Sequence, residues 1–273
     1  MNWLQSLIYG LISGLTEYLP VSSLAHQRIL HSLFGVSQSD PICDLLAHLA
    51  VLFAVFTTCK DLLHQFRGGS VQAHNRRSQQ RVQNSYSMRL VKTAFFPMII
   101  TMIILAYIRK GDVSLISVAI FSIINGILIY LPNRMLQGNK DASGMSVADS
   151  WIVGLAGSLS VLGGVSRIGA TVSVATMRGA DRNKALSWAL ILSVPALVVS
   201  CGLDFFNIVF YNGVINVWGN LLGYILAIIG SYFGAVASIM LVRYITSHTS
   251  HIWFAYYSWG VGLFSFILYL IVV

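Results

Sequence analysis

The chain has 273 residues, 56% of them hydrophobic and only 10% charged, with a mean hydropathy of +0.74. A water-soluble domain of this size carries about 25% charged residues, so the composition excludes one and describes an integral membrane protein. Seventeen Lys and Arg against nine Asp and Glu give a net charge of +8. In so apolar a chain that excess points to loops facing anionic lipid rather than to nucleic acid. Three cysteines without a CxxC pair indicate neither a disulfide framework nor a zinc site.

The apolar stretch that begins at Trp3 has no basic region before it and no small-residue cleavage site, so it is expected to be retained rather than removed as a signal. It reaches only about Leu15 before Glu17 and Pro20, whereas a helix needs roughly 20 apolar residues to cross a bilayer. A second short helix, about Ser22 to Phe34, follows at once, and the pair reads as a re-entrant hairpin of two half-helices meeting at Tyr18-Leu19-Pro20-Val21-Ser22-Ser23. Non-helical backbone at that depth is tolerated where it lines a polar cavity or is buried in protein.

Apolar stretches at about 42 to 59, 93 to 108, 114 to 132, 185 to 203, 219 to 242 and 252 to 272 are expected as six full crossings. Between the third and fourth lies another interrupted segment, about Val147 to Leu162 and Ser166 to Met177, broken at Gly163-Gly164-Val165-Ser166-Arg167. The two breaks are related: a shift of 144 residues places Gly10-Leu11 on Gly154-Leu155, Leu15 on Leu159 and Val21-Ser22 on Val165-Ser166. A single polytopic domain is expected, with a first repeat over about 1–132 and a second over about 145–273. The fold class is therefore all-α and integral to the membrane, with six transmembrane helices plus two re-entrant hairpins in an inverted repeat.

Charge orients this arrangement. With residue 1 outside and each hairpin returning to its own side, the segments 60–92, 133–147, 178–184 and 243–251 face the cytoplasm and hold thirteen Lys and Arg, against Arg109 and Lys110 alone on the outer side. Arg28 and Arg167 remain at membrane depth. The pattern obeys the positive-inside rule, and the basic segment of about 60–92 is expected as a solvated, lipid-facing cytoplasmic loop. The hairpins then enter from opposite faces and their tips meet near the midplane.

Glu17 is the sole glutamate and lies inside an apolar segment, where an ionisable group costs several kcal/mol and marks function by default. Ser22, Ser23 and His26 open the second half-helix, and helical spacing puts His26 on the face of both serines. A hydroxyl beside an imidazole is a nucleophile-and-base arrangement; a serine after a proline turn is equally an ordinary N-cap. Ser166, Arg167, Gly169 and Thr171 open the matching half-helix. Its free N–H groups and the planar Arg167 fork describe an anion site, and Arg167 can alternatively pair with Glu17. Asp44 and His48, four apart on the third segment, can contribute to the same cavity or serve as a cap and a core histidine.

Gly14-Leu15-Thr16-Glu17-Tyr18-Leu19-Pro20-Val21-Ser22-Ser23-Leu24-Ala25-His26 resembles the first signature of the bacitracin-resistance type of undecaprenyl-diphosphate phosphatase, and Gly164-Val165-Ser166-Arg167-Ile168-Gly169-Ala170-Thr171 resembles the second. The resemblance implies an enzyme of the bacterial inner membrane that removes the terminal phosphate of a C55 polyprenyl diphosphate, assisted by a divalent cation such as Mg²⁺ or Ca²⁺. It implies Glu17 as metal ligand or general base and Ser23 or Ser22 as nucleophile or phosphate binder. His26 becomes a proton-transfer group, and Arg167 with Ser166, Gly169 and Thr171 the phosphate clamp. The implied partners are the lipid substrate and membrane lipids, with the active site open to the periplasm; the oligomeric state stays open.

Several positions depart from that pattern. Ser13 stands where members usually carry another Glu, Gly163 replaces the usual Pro of the second motif, Ile168 a Ser, Gly157 a Gln and Ala25 a Gly. One carboxylate is left for a cation that at a diphosphate takes one or two plus phosphate oxygens. A transporter or flippase for a polyprenyl phosphate is the alternative, because broken helices in inverted repeats also build secondary transporters.

Overall fold

A computed structural model of the chain describes residues 1–36, 40–66, 77–109, 112–136, 138–210 and 220–272. It is helical, with α1 (Trp3–Glu17), α2 (Ser23–Leu33), α3 (Pro41–Thr58), α4 (Lys60–Phe66), α5 (Arg77–Arg109), α6 (Leu115–Tyr130), α7 (Val147–Ser158), α8 (Arg167–Met177), α9 (Arg182–Phe210), α10 (Leu221–His248) and α11 (Ile252–Val272). Polar residues start the helices where sequence places them: Asn2, Ser22, Asp40, Ser114, Ser146 and Ser166 each accept a backbone N–H of the first turn.

Six helices are long and apolar enough to cross a membrane: Pro41–Thr58, Ser87–Arg109, Leu115–Arg134, Arg182–Phe210, Leu221–His248 and Ile252–Val272. These are the six expected crossings. Their outer faces carry large apolar side chains such as Phe53, Ile100 and Phe233, each at least 57% exposed, a surface that suits lipid and not water. The expected loop of 60–92 is corrected in part. Lys60–Phe66 and the residues from Arg77 onward are helical, because the Arg, Gln and Ser run after 76 extends the helix of the following span with good helix formers. Arg67 and Arg76 lie outside the described residues, as does Lys110.

The two short pairs, α1 with α2 and α7 with α8, are hairpins with their ends together. Met1 and Phe34, from the far ends of the first pair, pack on one cluster around Tyr9, Leu30 and Cys43. In the second, Arg178 at the end of α8 pairs with Asp149 in the first turn of α7. α1 runs along α10 and α7 along α5, while α3 packs on both α9 and α10 and α6 on α11. The close approaches need small residues: a Cβ on Gly10 would lie 2.3 Å from the Ala227 carbonyl oxygen, and one on Gly154 2.1 Å from that of Ala94. Leu19 and Val21 of the first tip and Val161 and Ile168 of the second belong to the main buried cluster, so both tips sit inside the protein.

Candidate functional site

The two tips are bonded to each other. Ser22 caps α2, and its Oγ also accepts from the Gly164 N–H at 2.9 Å. Ser166 caps α8 by accepting from the Gly169 N–H at 3.1 Å, and its own hydroxyl donates to the Leu19 carbonyl at 3.0 Å. From α6, buried Asn125 joins both: Nδ2 donates to the Pro20 carbonyl at 3.2 Å, and Oδ1 accepts from the Ser166 N–H at 2.9 Å. The turn of the second tip passes through Gly163 at φ +72° and Gly164 at φ +116°, a region only glycine enters at little cost.

This frame sets Arg167, the first residue of α8, against Glu17, the last residue of α1. Nη1 lies 3.2 Å from Glu17 Oε1, and both side chains are largely buried, at 11% and 6% exposure. The pairing is incomplete: Nε and Nη1 of Arg167 are buried and make no hydrogen bond among the described residues. A permanently charged fork with unmade donors, sealed from water, is suited to an anionic ligand. Thr171, one turn further along α8, is buried, and its Oγ1 lies where a Cβ on Gly157 would come within 2.9 Å.

Around this pair three polar stripes of helical spacing converge: Tyr9, Ser13 and Glu17 on α1; Ser23, Gln27 and His31 on α2; Asp44 and His48 on α3. Gln27 Nε2 donates to Ser13 Oγ at 2.7 Å, Ser23 Oγ donates to the Ser13 carbonyl at 3.3 Å, and Tyr9 donates to Asp44 and stacks on His31. His48 Nδ1 is 2.6 Å from Asp204 Oδ2 on α9, and a carboxylate only accepts, so that nitrogen carries the proton.

Of the residues singled out from sequence, Glu17 and Arg167 meet, Ser23 reaches α1 one turn before Glu17 through the Ser13 carbonyl, and Thr171 lies one turn along α8 from Arg167. Ser22, Ser166 and Gly169 are committed to capping and to the contact between tips, where Gly169 packs on Pro20. The expected pairing of His26 with a serine hydroxyl is corrected. Its Nδ1 donates to the Ser22 carbonyl at 2.6 Å, its Nε2 accepts from the Tyr257 hydroxyl at 2.7 Å, and the ring stacks on Tyr257. The cause is helix phase: Ser23, Gln27 and His31 share the inner face, and residue 26 turns toward α11. Asn125, Gln27 and Asp204 were not singled out from sequence. The signal for Asn125 and Asp204 is a lone polar residue within an apolar span.

Among the described residues no group of three or more His, Cys, Asp and Glu is placed to hold a metal ion. Glu17 engages Arg167 through Oε1 only, and a carboxylate offers about four lone-pair sites. Its other oxygen would supply at most one protein ligand to a hard divalent cation, the rest coming from phosphate oxygens and water.

Fold and site together define a polytopic membrane protein with a buried arginine–glutamate pair between two helical hairpins. The chain belongs to the family of the bacitracin resistance protein BacA, whose model matches residues 6–264. It is 30% identical over 266 residues to an undecaprenyl-diphosphatase of Carboxydothermus hydrogenoformans, covering 96% of each chain. It is 29% identical over 278 residues to one of Methanobrevibacter smithii, covering 97% of each. Undecaprenyl-diphosphatase 4 of Bacillus thuringiensis is 26% identical over 266 residues, 96% of each chain.

Proposed function

We propose that this protein hydrolyses undecaprenyl diphosphate to the monophosphate and inorganic phosphate, recycling the lipid carrier of cell-wall glycan synthesis. The observation that carries the reading is the buried Arg167, ion-paired to Glu17 through Nη1 while its Nε is buried without a partner among the described residues. Family membership and the names of the relatives support it.

In this reading Arg167 takes the terminal phosphate oxygens, with Thr171 beside it, and most of the rate enhancement is positioning and charge stabilisation. Ser23 offers its hydroxyl to the phosphate from the first turn of α2. A serine nucleophile needs a base within hydrogen-bond reach, but Ser23 bonds the Ser13 carbonyl and Gln27, so water is the attacking group. Glu17 would hold a divalent cation, Mg²⁺ or Ca²⁺, which when bound neutralises charge on the phosphate oxygens. His26 positions the Ser22-Ser23 turn through the Ser22 carbonyl.

We further propose that the hairpins are re-entrant in an inverted repeat, in the bacterial cytoplasmic membrane with the site open to the outer side. Three pairs of observations, each related by the 144-residue shift or its helix equivalents, support this. Gly10 meets α10 as Gly154 meets α5, Ser22 caps α2 as Ser166 caps α8, and α1 lies on α10 as α7 lies on α5. The polyprenyl tail would lie among the spans.

The test is phosphate release from undecaprenyl or farnesyl diphosphate by detergent-solubilised protein, where no gradient can drive transport. Arg167→Ala and Glu17→Gln are expected to lower release by about 10²–10³-fold, the scale of a lost transition-state charge contact. A chelator should stop release, and Mg²⁺ or Ca²⁺ should restore it. Rates like those of the unsubstituted protein in both variants would overturn the assignment.

A further inference from the structure

We propose that His48, oriented by Asp204, is the general base that accepts a proton from the attacking water, a role that rests on the diphosphatase reading above. The pair is buried between α3 and α9, two membrane spans, with His48 Nδ1 2.6 Å from Asp204 Oδ2 and side-chain exposures of 10% and 16%. An imidazole and a carboxylate at that depth are costly and mark a functional pathway. In its neutral form, an imidazole whose Nδ1 proton is taken by a carboxylate keeps a lone pair on Nε2, the arrangement in which a third group orients a base. Among the described residues nothing bonds Nε2.

The surroundings place this pair at the site. Along α3, Asp44 and Val51 flank His48 by about one turn each way; Asp44 accepts from Tyr9 of α1, and the Val51 carbonyl accepts at 3.2 Å from the hydroxyl of Tyr18, the residue next to Glu17. From α10, Tyr224 and Tyr232 are engaged elsewhere, on Asp40 and Thr57. Of the other described imidazoles, His26 holds the Ser22 carbonyl and Tyr257, and His248 and His251 lie at the far end of α10. His31 has a buried, unbonded Nε2 but stacks on Tyr9, about two turns along α1 from Glu17.

The water oxygen forms a bond to the terminal phosphorus while its proton passes to Nε2. The bridging P–O bond breaks, and its electron pair leaves on the polyprenyl monophosphate. The imidazolium, stabilised by Asp204, then returns its proton to the released phosphate or to solvent.

The experiment is steady-state hydrolysis of farnesyl diphosphate by full-length protein in detergent. His48→Gln is expected to lower kcat about 100-fold, the lower end for general base catalysis, with KM within about threefold. Imidazole added to His48→Gly should raise its rate at least about tenfold, since a free base refills the space left by the ring. Asp204→Asn should lower kcat about tenfold by releasing the tautomer, as expected of a group that acts through another. Retention of kcat within about threefold in His48→Gln, or a loss with raised KM and no rescue by imidazole, would overturn the proposal. If the His48 variants do not fold, an unchanged kcat in Asp204→Asn overturns it alone. An unsubstituted protein that releases no phosphate would instead sink the reading beneath it.

Discussion

Asn125 is the residue on which the meeting of the two tips most depends. It is fully buried, bonds the Pro20 carbonyl and the Ser166 N–H, and also donates to Ser258 at 2.9 Å. Replacing it with leucine leaves a backbone donor and a backbone acceptor buried without partners. An orphaned buried group costs about 1–3 kcal/mol, so Asn125→Leu is expected to lose roughly 2–5 kcal/mol and to disorder the Arg167 contact. Thermal unfolding in detergent and phosphate release should both fall, and a variant with normal unfolding temperature would show that the tips hold without it. Glu17 and Arg167 were legible in sequence because an ion in an apolar segment stands out wherever it points. The inner face of α2 was not, because two adjacent serines leave the helix phase ambiguous until the cap is assigned to Ser22. Once Ser22 is the cap, Ser23, Gln27 and His31 fall on the site and His26 falls outside it. Gly163 carries a separate lesson: at φ +72° no proline fits, so this tip turns differently from one built on the proline usual in the resembled motif.

At the scale of elements, all six spans and both broken segments were readable from apolar length, since burial in lipid leaves no other way to satisfy a backbone. The helical start of α5 was not, because a polar helix outside the membrane has the same composition as a solvated loop. The junction of α10 and α11 carries a pH dependence. His251 is buried there against Thr246, 2.8 Å from Nε2, and burial together with nearby Arg182 pushes its imidazole down to about 4. An unfolded chain protonates the same group near 6.5. Above about 6.5 neither state binds the proton and the junction is at full strength; as pH falls from there toward 4, the unfolded chain gains a proton that the folded one refuses. Taking the protein from pH 7 to pH 4.5 should therefore cost roughly 2–3 kcal/mol through this residue. The difference in unfolding temperature between the two pH values should be smaller in His251→Gln, and an equal difference would place the acid sensitivity elsewhere.

For the whole molecule, the internal contacts and the distribution of charge bear on the proposed arrangement in the bilayer. Hairpin ends lie together in each short pair, Met1 and Phe34 on one cluster and Asp149 beside Arg178, as the proposed re-entrant reading requires. The pairs are separated in sequence by α3, α5 and α6, three candidate spans; on that reading an odd number of crossings would put the ends of the second pair on the face opposite the first. In the proposed arrangement Lys and Arg concentrate on the side of the second pair, which the positive-inside rule would make cytoplasmic. Single cysteines in a background with Cys43, Cys59 and Cys201 replaced by alanine test this directly. Trp3 and Leu33 are 54% and 56% exposed at the two ends of the first hairpin, and Val147 and Leu136 are 42% and 99% exposed beside the second. In intact cells a membrane-impermeant maleimide should label Trp3→Cys and Leu33→Cys together, and reach Val147→Cys and Leu136→Cys only after permeabilisation. Labelling of Trp3→Cys and Leu33→Cys from opposite sides would make the first pair a crossing. That would remove the geometry by which an acid from one membrane face meets a guanidinium from the other.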